Sequence, residues 1–390
     1  MLFLVNVLNF YDRQTLAAIL EPLRHEFSLN DTQLGGLFTL FTIVFALAGV
    51  PLGKLADTRS RRTLLAGGIA VWTALTGLAG LATSYAMLLA TRLGVGIGEA
   101  VCTPAATSWI GDLAPPSRRA RAMAVFMAAV PVGIMLSSAI GGPVAQAYGW
   151  RMALVVAALP GLLLVPAVLI LSEPARPSVI ADVGAVTLPA VFWWIAASGA
   201  VVNFALYSFS TFLPAFLTRY HGMSVGQAGI WSGLGSGAAG ILGAAAAGLW
   251  GDRVRNRLWL AAGMSLAAAL PITLGIGMPA GSALAAVLLA MAGYGLLQMY
   301  YGLVYAAIQD VVAAEMRGRA MALYFVVTYL GGASWGPLVT GRLSDFLARR
   351  SGLGVEAARA AGLHDAMYVI PVLAVALAGV LWIAGRRAVE

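Results

Sequence analysis

Of the 390 residues, 60% are hydrophobic and only 10% are charged, with a mean hydropathy of +0.87. A water-soluble globule carries about 25% charged residues, so this composition belongs in a bilayer. The net charge of +8 comes from short basic clusters between apolar segments, which act as topology signals rather than as a nucleic-acid surface. Cys102 is the only cysteine, so neither an internal disulfide nor a cysteine metal site can form. His25, His221 and His364 are expected in separate loops, and no metal or cofactor is expected.

The chain opens on the apolar run Met1 to Leu8 with no basic leader or small-residue cleavage site, and this reads as a membrane span rather than a signal peptide. Segments of roughly 20 apolar residues can cross the hydrocarbon core. Twelve are predicted, at about 1–20, 32–56, 63–83, 86–111, 120–147, 150–172, 188–218, 224–250, 258–277, 281–312, 320–346 and 364–385. Basic residues cluster in alternate connections: Lys54, Arg59, Arg61 and Arg62, then Arg118, Arg119 and Arg121, then Arg253, Arg255 and Arg257, then Arg317 and Arg319, and finally Arg386 and Arg387. By the positive-inside rule these connections and both termini face the cytoplasm. The connection at 347–363 runs against the rule with Arg349, Arg350 and Arg359, offset by Asp345, Glu356 and Asp365. Glu173-Pro174-Ala175-Arg176-Pro177 reads as a hinge. The predicted organisation is therefore an amino-terminal six-helix bundle (1–172), a cytoplasmic linker (173–187) and a carboxyl-terminal six-helix bundle (188–390), all α-helical.

Two phrases repeat across these halves. Ile110, Asp112, Arg119, Arg121, Ala122, Met123 and Ala124 recur 198 residues later as Ile308, Asp310, Arg317, Arg319, Ala320, Met321 and Ala322. Gly53 to Asp57 and Gly248 to Asp252, each leading into a basic tail, recur at an interval of 195. A duplicated, hydrophobic, helical chain suits a secondary transporter, whose substrate site lies between repeats.

An ionisable group inside hydrocarbon costs on the order of 3 kcal/mol on insertion scales, so each is a candidate functional residue. Asp12 and Arg13 lie in the first span, Arg92 and Glu99 in the fourth. Arg92 and Glu99 are seven residues apart, two turns along one helix face, whereas Asp12 and Arg13 are adjacent and about 100° apart, so only one of those two is expected to face a shared cavity squarely. Glu99 or Asp12 would bind and release a proton, with Arg92 or Arg13 alternating between that carboxyl and an anionic substrate. Burial and a neighbouring guanidinium pull on a carboxyl's proton in opposite directions, so substrate on the arginine can trade with a proton.

The second half lacks comparable charge; Asn203, Tyr207, Tyr301 and Tyr305 instead interrupt its spans as candidate substrate contacts. Ions on one wall and aromatic groups on the other suit an amphiphile. Asp57, Arg61 and Asp252 at the ends of basic connections, with Asp112, Arg119 and Arg121 and their echoes Asp310, Arg317 and Arg319 opposite, are candidate gating residues: a carboxylate can cap a neighbouring helix and hold a gate shut. Gly94/Gly98, Gly233/Gly237 and Gly331/Trp335 allow close helix approach.

These residues resemble the major facilitator superfamily. Gly49 to Arg62 is similar to its loop 2–3 signature, and Arg92-Leu-Gly-Val-Gly96-Ile-Gly98 to its fourth-helix pattern. Within it, Asn9 to Arg13, Arg92 to Ala100, Ile110 to Leu113 and Arg121 to Gly133 resemble the spinster lipid transporters. The resemblance implies a proton-linked carrier of lysophospholipids or sphingosine-1-phosphate-like anions, with Asp12, Arg13, Arg92 and Glu99 in its cavity, and a monomer is expected. The organic anion:cation symporters share a similar first-span phrase, which keeps a small organic anion symporter or a drug efflux carrier as alternatives. No enzyme is expected: Gly94-Val-Gly96-Ile-Gly98 lies within a span and follows no strand, unlike a nucleotide-binding loop.

Overall fold

The computed structural model describes residues 1–173, 188–313 and 316–388, with the side chains of 57, 116, 117, 119 and 120 left out of the description. The described elements are helical: α1 (Leu2–Ala18), α2 (Leu20–Phe27), α3 (Asp31–Thr58), α4 (Arg61–Ala79), α5 (Tyr85–Glu99), α6 (Cys102–Leu113), α7 (Pro116–Met127), α8 (Ala129–Tyr148), α9 (Trp150–Leu169), α10 (Ala190–Arg219), α11 (Val225–Gly251), α12 (Arg257–Ile276), α13 (Ala283–Val311), α14 (Arg317–Thr328), α15 (Gly336–Arg350), α16 (Val355–Met367) and α17 (Val369–Arg387). Among the described residues, eleven helical segments are long and apolar enough to cross a membrane. The first expected span is α1, 17 residues long, continued by α2.

Side-chain caps fix several starts: Ser60 accepts from Thr63 N at 3.3 Å, Ser84 from Met87 N at 3.2 Å, and Asn256 from Leu258 N and Trp259 N at 3.0 and 3.2 Å. Several spans that read as continuous in the sequence are composite. The fourth breaks between Glu99 and Cys102, the fifth at Ala128, and the eleventh is α14 joined to α15 through a π-helical turn at Tyr329–Ala333; such turns recur at functional sites. Hydrophobic periodicity runs straight through these breaks, so it does not disclose them.

The chain divides into two compact units. The first comprises Met1–Leu29, Leu40–Ala181 and Ser224–Leu234; the second comprises Asn30–Thr39, Asp182–Met223 and Gly235–Glu390. Helices α3 and α11 are thus each divided, at Thr39/Leu40 and Leu234/Gly235. The expected linker lies, from residue 174 to 187, outside the described residues.

The core of the first unit gathers Val5, Leu8, Phe41, Trp72, Val95 and Trp109. Close crossings need glycine there: a Cβ on Gly68 would meet Gly98 O at 2.9 Å, and one on Gly142 would meet Val225 O at 2.8 Å. In the second unit α12 packs against α13 and α17, and α15 against α16.

The start of α3 is tied down within the second unit. Asp345 of α15 accepts from Asp31 N at 3.0 Å, Thr32 N at 2.9 Å and Thr32 Oγ1 at 2.5 Å, capping α3 from another helix. Asp31 itself pairs with Arg219 at 2.8 Å and accepts from Ser344 Oγ at 2.6 Å, with only 3% and 4% of the two charged side chains exposed.

The histidines depart from the sequence expectation. His25 lies in α2 and His364 in α16, and His221 and His364 both pack on Phe216, at 5.1 and 6.2 Å between ring centroids. Burial holds the His221 ring below its ordinary range, and neighbouring His364 adds to this. Aromatic packing after α10, invisible to linear spacing, brings them together.

Candidate functional site

The first unit buries four ionisable groups in one cluster. Arg13 donates to Glu99 Oε2 through Nε and Nη2, each at 3.3 Å, with 4% and 0% of the side chains exposed. Asp12 is completely buried and neither of its carboxylate oxygens has a hydrogen-bond partner among the described residues; it lies within Coulombic reach of Glu99 and Arg92. Arg92 is 1% exposed, and its Nε and Nη1 are likewise without acceptors. Glu99 Oε1 and Asn9 Nδ2 complete a set of buried polar atoms left unsatisfied. Buried polar groups are almost always paired, so such a concentration marks a candidate functional site.

Local structure explains the gathering. Glu99 is the last residue of α5 before the break at Ala100, and Asp12 and Arg13 lie in the middle of α1. Of those two neighbours, the long Arg13 side chain reaches Glu99 directly, whereas Asp12 makes no bond to it and lies within Coulombic reach of the same carboxyl. Phe41 and Phe45 of α3 supply a partly apolar lid for the cations. The Arg13 guanidinium carbon lies 4.3 Å from the Phe45 ring centre, and that of Arg92 4.8 Å from Phe41. Phe41 and Phe45 escape sequence reading because an aromatic residue in an apolar helix carries no distinguishing signal.

The second unit gathers the expected polar and aromatic residues. Tyr301 donates to Asn203 Oδ1 at 3.0 Å, Asn203 Nδ2 donates to Gly199 O at 2.9 Å, and the Tyr301 and Tyr305 rings lie 5.7 Å apart. Tyr207 meets Tyr329 of the π-helical turn edge-on at 6.2 Å. Tyr300 and Tyr324, which also interrupt the apolar spans of this half, form a buried chain with Ser198 whose pairing the sequence does not disclose: Tyr324 donates to Tyr300 at 3.1 Å, and Ser198 and Tyr300 are 2.8 Å apart.

Among the candidate gating residues, Arg61 is the centre. Although 1% exposed, it donates to Asp112 at 2.5 Å, to Glu173 at 3.1 Å and to Ser108 at 3.1 Å. Glu173 also accepts from Ser60 Oγ at 2.6 Å and Arg61 N at 2.8 Å, closing the start of α4. In the second unit Arg257 makes the equivalent pair with Asp310, with Asp252 at 3.9 Å. Arg317 Nε donates to Val312 O at 3.2 Å, and Arg319, two residues on, lies in the first turn of α14. Arg121 is exposed on α7, and the side chains of Asp57 and Arg119 lie outside the described residues. Glu173 and Arg257 are the residues the sequence reading passed over, one as linker and one as topology marker. The signal for Arg257 was available: it follows Arg61 at nearly the repeat interval.

Comparison with known proteins accords with this architecture. The family model of the Major Facilitator Superfamily matches residues 2–337. The chain is 34% identical, over 99% of its length and 91% of the relative's, to an MFS-type efflux pump of Mycolicibacterium smegmatis. It is 29% identical to protein spinster homolog 1 of Mus musculus over 88% of this chain and 72% of that one. A crystal structure of a bacterial homologue of the human lysosomal transporter spinster, in an inward-facing and occupied conformation, superposes with a TM-score of 0.90 at 27% identity, covering 99% of this chain and 95% of that one. On these grounds the chain is a multi-pass membrane transporter, not an enzyme, and it belongs to the major facilitator superfamily.

Proposed function

We propose that the protein is a proton-coupled secondary transporter of anionic amphiphiles, such as lysophospholipids or sphingosine-1-phosphate-like lipids, working by alternating access. The observation that carries this reading is the buried cluster of Asp12, Arg13, Arg92 and Glu99, in which a carboxyl without donors adjoins a guanidinium without full acceptors. A buried, unpaired carboxylate costs several kcal/mol, and a proton removes that cost. In the proposed cycle Asp12 or Glu99 takes the proton, Glu99 loosens its hold on Arg13, and Arg92 or Arg13 takes the anionic head of the substrate; Asn203, Tyr207, Tyr301 and Tyr305 receive its apolar part. Asp57, Arg61, Asp112, Arg119 and Arg121, with Asp252, Asp310, Arg317 and Arg319, hold the gate on the basic side. The protein works as a monomer in a bacterial inner membrane with both termini cytoplasmic. The name of the Mycolicibacterium relative favours a drug efflux carrier as the second reading.

The test is transport in proteoliposomes under an imposed pH gradient, with a lysophospholipid, a small organic acid and a lipophilic drug as substrates. Lysophospholipid flux driven by the gradient, and lost in Asp12→Asn and Glu99→Gln, is expected. Gradient-driven flux that survives both substitutions, or that appears only with the other two substrates, overturns the proposal.

A further inference from the structure

Away from the buried charges, the first unit holds a cavity of about 870 Å³, within the size range of ligand sites. Its walls come from the start of α1, the end of α6, α7 and the residues after α9. Leu2, Phe3, Leu113 and Val125 make it apolar, and Leu113 and Val125 are more than half exposed. Arg118 and Arg121, three residues apart and therefore on one face of α7, open onto it. Neither guanidinium has a hydrogen bond or ion pair among the described residues, in contrast to Arg61 nearby in the same unit, which holds two carboxylates. Trp109 also lines the cavity; it is 1% exposed and its Nε1–H has no acceptor among the described residues. Two uncompensated guanidiniums and one uncompensated indole N–H around an apolar hollow call for an anionic head with ester or hydroxyl oxygens and a hydrocarbon tail.

We infer that this cavity binds an anionic phospholipid of the surrounding leaflet as a resident ligand, with the phosphate on Arg118 and Arg121 and an acyl chain along Leu113 and Val125. Its position separates it from the buried cluster. Asp12 lies nine residues beyond Phe3 on α1, about 14 Å at 1.5 Å per residue, and Glu99 ends α5, ten residues before Trp109 and on the far side of the break at Ala100. The arginines are exposed at the end of a span, where headgroups lie, whereas Arg92 is sealed. The inference does not depend on which substrate is carried.

Each arginine near a membrane surface favours an anionic lipid by about 1 kcal/mol, which for two is about thirtyfold in affinity. Native mass spectrometry of the purified full chain in neutral detergent, titrated with phosphatidylglycerol, phosphatidylcholine, lysophosphatidylglycerol or inorganic phosphate, reads this directly. Phosphatidylglycerol is expected to bind at least tenfold more tightly than phosphatidylcholine, and the preference is expected to fall below threefold in Arg118→Gln/Arg121→Gln. Val125→Trp, which fills the hollow without touching charge, is expected to weaken both lipids. Equal binding of the two diacyl lipids, or an anionic preference unchanged in the double variant, overturns the inference. Competition by inorganic phosphate as effective as by lipid shows a bare anion site, and tighter binding of the single-chain lipid points to the transported substrate; either also overturns it.

Discussion

Arg61 shows how much a single side chain can organise. Its guanidinium is buried, so its charge is tolerated only because Asp112 and Glu173 are both in contact with it. Removing one member of a buried ion pair costs about 3–5 kcal/mol, because the others keep an uncompensated charge. Arg61→Ala should therefore lower the melting temperature of the detergent-solubilised protein by several degrees, and adding Asp112→Asn and Glu173→Gln should recover part of the loss. Glu173 gives the pH counterpart. Burial pushes its carboxyl up, but hydrogen bonds from Ser60, from the Arg61 and Arg62 backbone and from the Arg61 guanidinium outweigh that and hold it at about 2, against an ordinary 4.5. A depressed carboxylate stabilises the fold above its unfolded value and loses that contribution on acidification. Stability should fall as pH drops from about 4.5 toward about 2, and a pH series of thermal melts on Glu173→Gln should be flatter across that window.

Between elements, one helix repairs the end of another. The first amides of α3 find their acceptor on Asp345 of α15, so α3 needs no cap of its own beyond the reciprocal contact between Asn30 and Gln33. Asp345→Ala removes that acceptor and should cost about 0.5–2 kcal/mol, the range of a lost helix cap. Denaturant unfolding with and without the substitution measures it. Asp345→Asn, which keeps an acceptor oxygen but loses the charge, should lie between the two. Closeness here is enforced by glycine: the ideal Cβ of Gly341 collides with the Asp31 backbone, and that of Gly35 with Pro337. In the sequence Asp345 reads only as one of several acids offsetting an anomalous basic loop, since a cap across more than 300 residues leaves no mark in local spacing.

At the scale of the whole molecule, the sequence discloses most where physics makes residues conspicuous. Asp12, Arg13, Arg92 and Glu99 stand out because charge in an apolar span is costly, and the duplicated Asp-Arg phrases stand out because two copies share one interval. The succession of apolar spans and the fold follow from hydropathy and repetition. The breaks at Ala100 and Ala128, the π-helical turn at Tyr329, the Ser198–Tyr300–Tyr324 chain and the role of Glu173 do not, because each depends on partners far along the chain. The division of α3 and α11 has a measurable result. The two ends of each of these helices are held by different sets of partners, so amide exchange along either one should show two levels of protection that meet at Thr39/Leu40 and at Leu234/Gly235. Gly35 and Gly36 precede the division of α3, and Gly233 and Gly235 flank that of α11, which lowers helix propensity where the two levels meet.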